Sequence, residues 1–157
     1  MAGVSFFGDP FRLASGWSEE NEIGRLWQRF MALLPALGER GEQGPWYEVH
    51  VEHPESRETG EFEVFCGVEV PTIDALPVVL TAKVLPASTY AALTLSGKDI
   101  VGDWDARMNA WIAARRLERA YPFGFQRYDE RFRGLDRLDE SILDVFTPVA
   151  PCPTSTP

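Results

Sequence analysis

The order of apolar and polar positions divides the chain into helix-like and strand-like stretches. In "GWSEENEIGRLWQRFMALLP", Ile23, Leu26, Trp27, Phe30 and Leu34 recur at spacings of three and four. That stripe predicts a helix ending near Pro35, with Ser18 as its N-cap and Glu19, Glu20 and Glu22 near its positive end. A second stripe, Val101, Trp104, Met108, Trp111 and Ile112, predicts a helix through "VGDWDARMNAWIAARRLE". Alternation marks "WYEVHVE" and "EFEVFCGVEV" as a hairpin around the polar loop "HPESRETG", and "GFQRYDE" and "SILDVFTPV" as another around "RFRGLDRLDE". Two more strand-like segments, "VVLTAKVL" and "TYAALTL", are broken at "PAS".

Strand, helix, strand, strand thus occurs twice, the first strand of the first copy being short or irregular within the apolar opening "MAGVSFFGDPF". Trp27 stands as far from Trp104 along the chain as Pro71 does from Pro148. A duplicated unit of this kind produces a pseudo-twofold sheet with a groove between the copies.

Composition narrows the function classes. A chain of 157 residues, 45% hydrophobic and 25% charged, is expected to form one globular domain, taken as residues 1–149, with the tail "APCPTSTP" (150–157) disordered. Fifteen basic residues against 24 acidic ones give a formal net charge of -9, which repels nucleic acid and anionic lipid, so neither is expected as a direct partner. No run approaches the roughly 20 apolar residues of a membrane span, and the chain reads as cytoplasmic. Cys66 and Cys152 have no metal or redox spacing, and His50 and His53, three apart in a strand pattern, fall on opposite faces. No metal and no cofactor is expected. Neither a phosphate-cradling glycine loop nor a nucleophile elbow is present.

The stretch "PFGFQRYDERF" carries the candidate chemistry. A strand there sets Gly124, Gln126, Tyr128 and Glu130 on one face and Phe123, Phe125 and Arg127 on the other. If the first face lines a pocket, the partner strand offers Asp144 and Phe146, and the first hairpin offers Phe65, Gly67 and Glu69. Rings that bury area beside a few orienting polar groups suit an organic ligand. The competing reading is a solvated sheet face. In "WYEVHVE", the apolar face with Tyr47 is assigned to the cleft, against a mixed face of Trp46, Glu48 and His50. Trp17 either covers one end of the cleft or packs as a hydrophobic staple. Trp27, Trp104 and Trp111 are assigned to the core.

The ordered set "GWSEENEIGRLWQRF", "WYEVHVEHP", "FCGVEVP", "VVLTAKVLPASTYAAL" and "GFQRYDE" followed by "SILDVFTPV" resembles the gyrase-inhibitor-like family. These small-molecule-binding domains occur alone or as the effector-binding part of AraC-type and MerR-type regulators. The resemblance implies an α+β fold, an antiparallel sheet with two helices on one face and, on the other, a cleft for flat or cationic organic compounds. Many members carry a glutamate on the strand after the second helix, where drug-binding regulators meet the ligand's positive charge. The matching position here is Gln126, a departure that weakens the implication of a multidrug cation sensor.

The function implied is a stand-alone binding protein for a small aromatic or cationic organic ligand. Some stand-alone relatives are hydrolases of electrophilic cyclopropane-bearing compounds, which makes Glu69 or Asp144 a candidate general base in the same cleft. A weaker alternative is inhibition of a DNA enzyme by the acidic surface. Because the ligand-binding fold takes up the 157 residues, transcriptional regulation would require a separate protein partner.

Overall fold

A computed structural model describes residues 1–153. Asn21, rather than Ser18, starts the first helix, α1 (Glu22–Leu33): its side-chain oxygen accepts from the Gly24 N–H at 2.9 Å. Asn21 is fully buried, and its amide nitrogen donates to the Gly16 carbonyl at 2.7 Å, so both ends of the amide are used. Ser18 instead accepts from the Glu20 N–H in an exposed turn. Pro35 closes α1 by opening a 3₁₀ turn, Leu34–Leu37. Short helices α2 (Glu39–Gln43) and α3 (Ser56–Thr59) occupy two connections, and α4 (Trp104–Ala114) is capped by Asp103, which accepts from the Ala106 N–H at 3.1 Å. That helix is shorter than predicted at both ends: Val101 closes a 3₁₀ turn, Gly97–Val101, before the Asp103 cap, and Arg116 takes a positive φ of 54° just past Ala114.

The strands are β1 (Ala2–Gly8), β2 (Trp46–Val51), β3 (Phe62–Val68), β4 (Thr81–Ala82), β5 (Thr89–Ser96), β6 (Leu117–Arg119), β7 (Phe123–Tyr128) and β8 (Ile142–Pro151). They form one antiparallel sheet in the order β4-β1-β3-β2-β7-β8-β5, with β6 also beside β8. Three expectations change. The opening strand β1 is regular and pairs along its whole length with β3. "VVLTAKVL", bracketed by prolines, contributes only the two residues of β4, and Val78 is fully exposed. Ala150 and Pro151, assigned to the tail, extend β8 opposite Glu118 and Leu117. Cys152 follows with its N–H donating to the Arg116 carbonyl at 3.0 Å, and 154–157 of that tail assignment lie outside the described residues.

The duplication is realised as β1-α1-β2-β3 and β5-α4-β7-β8, and in each unit the last strand lies between the other two. The units meet where β2 pairs with β7. Glu48 lies opposite Gln126 there, and one row across the sheet reads Val4, Cys66, Glu48, Gln126, Val145, Leu93.

Both helices pack on the face that carries this row, as expected. Under α1, Leu26, Phe30 and Leu34 bury Val4, Val64 and Cys66; under α4, Met108 and Ile112 bury Leu95, Leu143 and Val145. A smaller cluster, Val49, Phe65 and Phe123, covers the opposite face. The Phe65 ring lies over Gly67, where a Cβ would fall 2.4 Å from the ring, so that strand position has room only for glycine. Among the described residues no helix is long and apolar enough to cross a membrane.

Candidate ligand-binding site

The two helices stand apart over the junction of β2 and β7, leaving a cavity of about 800 Å³ whose floor is the polar centre of the row. The expected cleft on the far side of the sheet is therefore not the main one. A smaller groove does occupy that face, lined by Tyr47, Glu69, Lys83, Tyr90 and Phe125.

Glu48 is 4% exposed at the floor of the main cavity. A carboxylate so placed requires hydrogen-bond donors, since an unpaired buried charge costs several kcal/mol. It has two: the Trp27 indole N–H donates to one oxygen, and the other lies 2.7 Å from His50 Nε2. Beside Glu48, Gln126 is also buried, and its side-chain oxygen accepts from the Tyr128 hydroxyl at 2.6 Å. Its amide nitrogen makes no hydrogen bond among the described residues, leaving a donor next to the Glu48 acceptor. Burial, with the Glu48 charge adding to it, holds the Tyr128 phenol well above its ordinary pKa, so it remains a neutral donor.

Aromatic side chains form the walls. Trp27 meets Tyr128 edge to face with centroids 4.9 Å apart, and Phe132 also meets Tyr128 at 4.9 Å and 88°. Trp46, fixed by its indole N–H donating to the Gly41 carbonyl at 2.8 Å, and Trp104 at the start of α4 also line the space. Trp17, 37% exposed, stands at the rim with Phe11 and Leu135.

Of the eight residues singled out from the sequence, Trp17, Gln126 and Tyr128 line this cavity. The other five lie on the opposite face, because Gln126 pairs with Val145 and Glu48 with Cys66, which turns Asp144, Phe146, Phe65 and Glu69 away. Phe65 is in the core there, Phe146 stacks on Phe125 at 4.8 Å, and Tyr47 donates its hydroxyl to Glu69 at 3.0 Å. Asp144 is bound by Arg131 and lies 3.6 Å from Arg127, which leaves it no likeness to a free general base. The same two arginines hold Asp129, and the Arg131 hydrogen bond keeps its carboxyl below the usual range. Glu48, His50, Trp27, Trp46 and Trp104 were not assigned to the site; the signal was the mixed face Trp46-Glu48-His50, a charge between rings on one side of a strand.

Residues 1–149 match the model of the Cass2 family, described as integron-associated effector binding protein. The chain belongs to that family. Its members are gyrase-inhibitor-like, as the sequence resemblance indicated, and binding of an effector is their common description. The chain is also similar to the transcriptional regulator BrlR of Pseudomonas aeruginosa, with 29% identity over 152 residues, 95% of this chain and 51% of the regulator. It therefore spans about half the length of that curated relative.

Proposed function

We propose that residues 1–149 act as one binding domain for a flat organic cation held between the two helices, with Glu48 as its counter-charge. The observation that carries this reading is a buried carboxylate at the floor of a cavity walled by Trp27, Trp46, Trp104 and Tyr128. Rings bury the ligand's apolar area and attract its charge through their negative faces, an effect worth roughly 0.5 to 2 kcal/mol per contact. Glu48 supplies the full charge that Gln126 lacks, so the carboxylate that many gyrase-inhibitor-like proteins carry on the strand after the second helix is provided here from the neighbouring strand.

The similarity to a transcriptional regulator supports a sensing role, in which ligand binding alters how this domain meets a DNA-binding region. Free thiols at Cys66 and Cys152 fit a reducing, cytoplasmic setting.

The test is titration of tryptophan fluorescence with N-methylquinolinium, a flat permanent cation, against uncharged methylnaphthalene of similar shape. The cation should bind at least about tenfold more tightly, and Glu48→Gln should abolish that difference, one charged hydrogen bond being worth about 1.5 to 3 kcal/mol. Equal affinities in the parent protein would overturn the reading.

A further inference from the structure

The Glu48 carboxylate already has a cationic competitor within the fold. His50 lies two residues along the same strand face, with its Nε2 2.7 Å from Glu48 Oε1. The histidine side chain is 31% exposed and the glutamate 5%, and both line the cavity, so the more exposed imidazole stands beside the buried carboxylate where a ligand would meet it. An imidazole changes charge between about pH 5 and 8, the only ordinary side chain to do so. Protonated, it neutralises Glu48 and repels an incoming cation; neutral, it still donates one N–H while leaving the carboxylate's charge uncompensated.

We infer that His50 sets the cation specificity of the cavity by competing for Glu48, so that binding of a cationic ligand expels the imidazole proton. The inference rests on the reading of the cavity as a cation site. Binding and proton release are reciprocal: a ligand favouring the neutral imidazole is itself favoured as pH rises.

Among the described groups packed around Glu48, His50 is the one imidazole. On β3 it is flanked by Val64, with Phe62 against its ring at 5.3 Å and the Cys66 thiol beside Glu48. Burial and the neighbouring Glu48 push that thiol up, as burial does the Tyr128 phenol on β7, so both stay neutral. Gly124 faces it directly on β7. Trp27 is the α1 group on Glu48, while Glu19 and Asp129 are the other carboxylates lining the cavity and Glu52 follows just beyond β2. The second histidine, His53, is elsewhere, its ring edge-on to Phe7 at 5.1 Å.

The experiment measures the dissociation constant of N-methylquinolinium, whose charge is independent of pH, from about pH 5.5 to about pH 8.5. In the parent protein affinity should rise with pH, by at most about tenfold per unit for one released proton, while methylnaphthalene binds without pH dependence. His50→Gln should flatten the cation profile, His53→Gln should leave the rise in place, and His50→Lys should hold binding weak throughout. Calorimetry near pH 6 in buffers of different ionisation enthalpy should register a proton released on binding. A profile that is the same in parent and His50→Gln overturns the inference while leaving the cation site intact. A cation that binds no better than methylnaphthalene even at the highest pH overturns the cation site and the inference together.

Discussion

Glu48 and Gln126 are cross-strand partners at the one place where the two halves of the sheet meet, both buried and both facing the helices. The duplication therefore puts one acidic and one amide side chain side by side where a symmetric pair would otherwise stand. A symmetric pair of glutamates would repel, and a pair of glutamines would offer a cation no charge. The mixed pair gives the cavity an acceptor and a donor on a floor of otherwise apolar neighbours.

Among the described residues the Trp27 indole N–H is one of two donors to a buried carboxylate, so its removal should weaken the fold as well as the site. Trp27→Phe keeps a ring against Tyr128 but deletes that donor. We expect a loss of about 1 to 3 kcal/mol, the cost of leaving a buried polar group short of a partner. Urea unfolding of parent and variant at neutral pH measures it, and an unshifted midpoint would show that Glu48 is satisfied without the indole.

Asn21 ties the start of α1 to the loop that presents Trp17. Asn21→Ala should cost about 0.5 to 2 kcal/mol for the lost cap alone. Asn21→Asp restores the cap acceptor but not the bond to the Gly16 carbonyl, and should recover stability more fully than ligand affinity. Recovery of both in equal measure would separate the Gly16 contact from the placement of Trp17.

The elements were legible in the sequence because periodicity is a local property. Spacings of three and four in residues 23–34 and the alternation in 46–51 correspond to α1 and β2. The cap was less legible, since Ser18 and Asn21 are both competent acceptors and only the buried bond from Asn21 to Gly16 selects between them. Face assignments across strands were legible only in part: Tyr47, Phe65, Glu69, Asp144 and Phe146 share a face as grouped, but Gln126 and Tyr128 lie on the other. Each strand's alternation sorts its own residues into two sets, but a one-residue change of register decides which sets share a face. Gln126 faces the same way as Val145, so Asp144 and Phe146 went to the opposite side. Glu48 was hidden for a second reason: a glutamate beside a histidine in a strand reads as a solvated edge, and its burial depends on an indole 21 positions away along the chain.

Asp129 joins the end of β7 to the turn that carries Phe132, through Arg131 and Arg127. The Arg131 hydrogen bond lowers its pKa in the folded protein, so the group contributes stability above the unfolded carboxylate range, near pH 4, and that contribution is lost as pH falls through the lower folded value. Asp129→Asn should therefore reduce stability at neutral pH and converge with the parent in acid. Melting temperatures compared at about pH 7 and about pH 3 test this, and a difference of constant size at both would assign the effect to packing rather than charge.

Gln126→Glu returns to the family's position a carboxylate that many relatives carry, but here it would stand opposite Glu48. Two buried carboxylates on adjacent strands cannot both ionise cheaply, so the new group's folded pKa should lie above its unfolded one. A carboxyl raised in this way leaves the variant closest to parent stability below the unfolded pKa, near pH 4, and costs it stability as pH rises through the folded value. The unliganded variant should thus be close to the parent in acid and less stable at about pH 8. A bound cation relieves the repulsion it meets, so N-methylquinolinium should gain affinity relative to methylnaphthalene by about 1 to 3 kcal/mol at that pH, the range for a charged hydrogen bond. Tyr128 keeps an acceptor in the variant, so its ring should stay in place and the shape of the cavity with it. Unfolding at the two pH values and the ratio of the two dissociation constants are the measurements. Loss of stability without a gain in cation preference would mean that the ligand's charge stays near Glu48 and out of reach of the neighbouring strand.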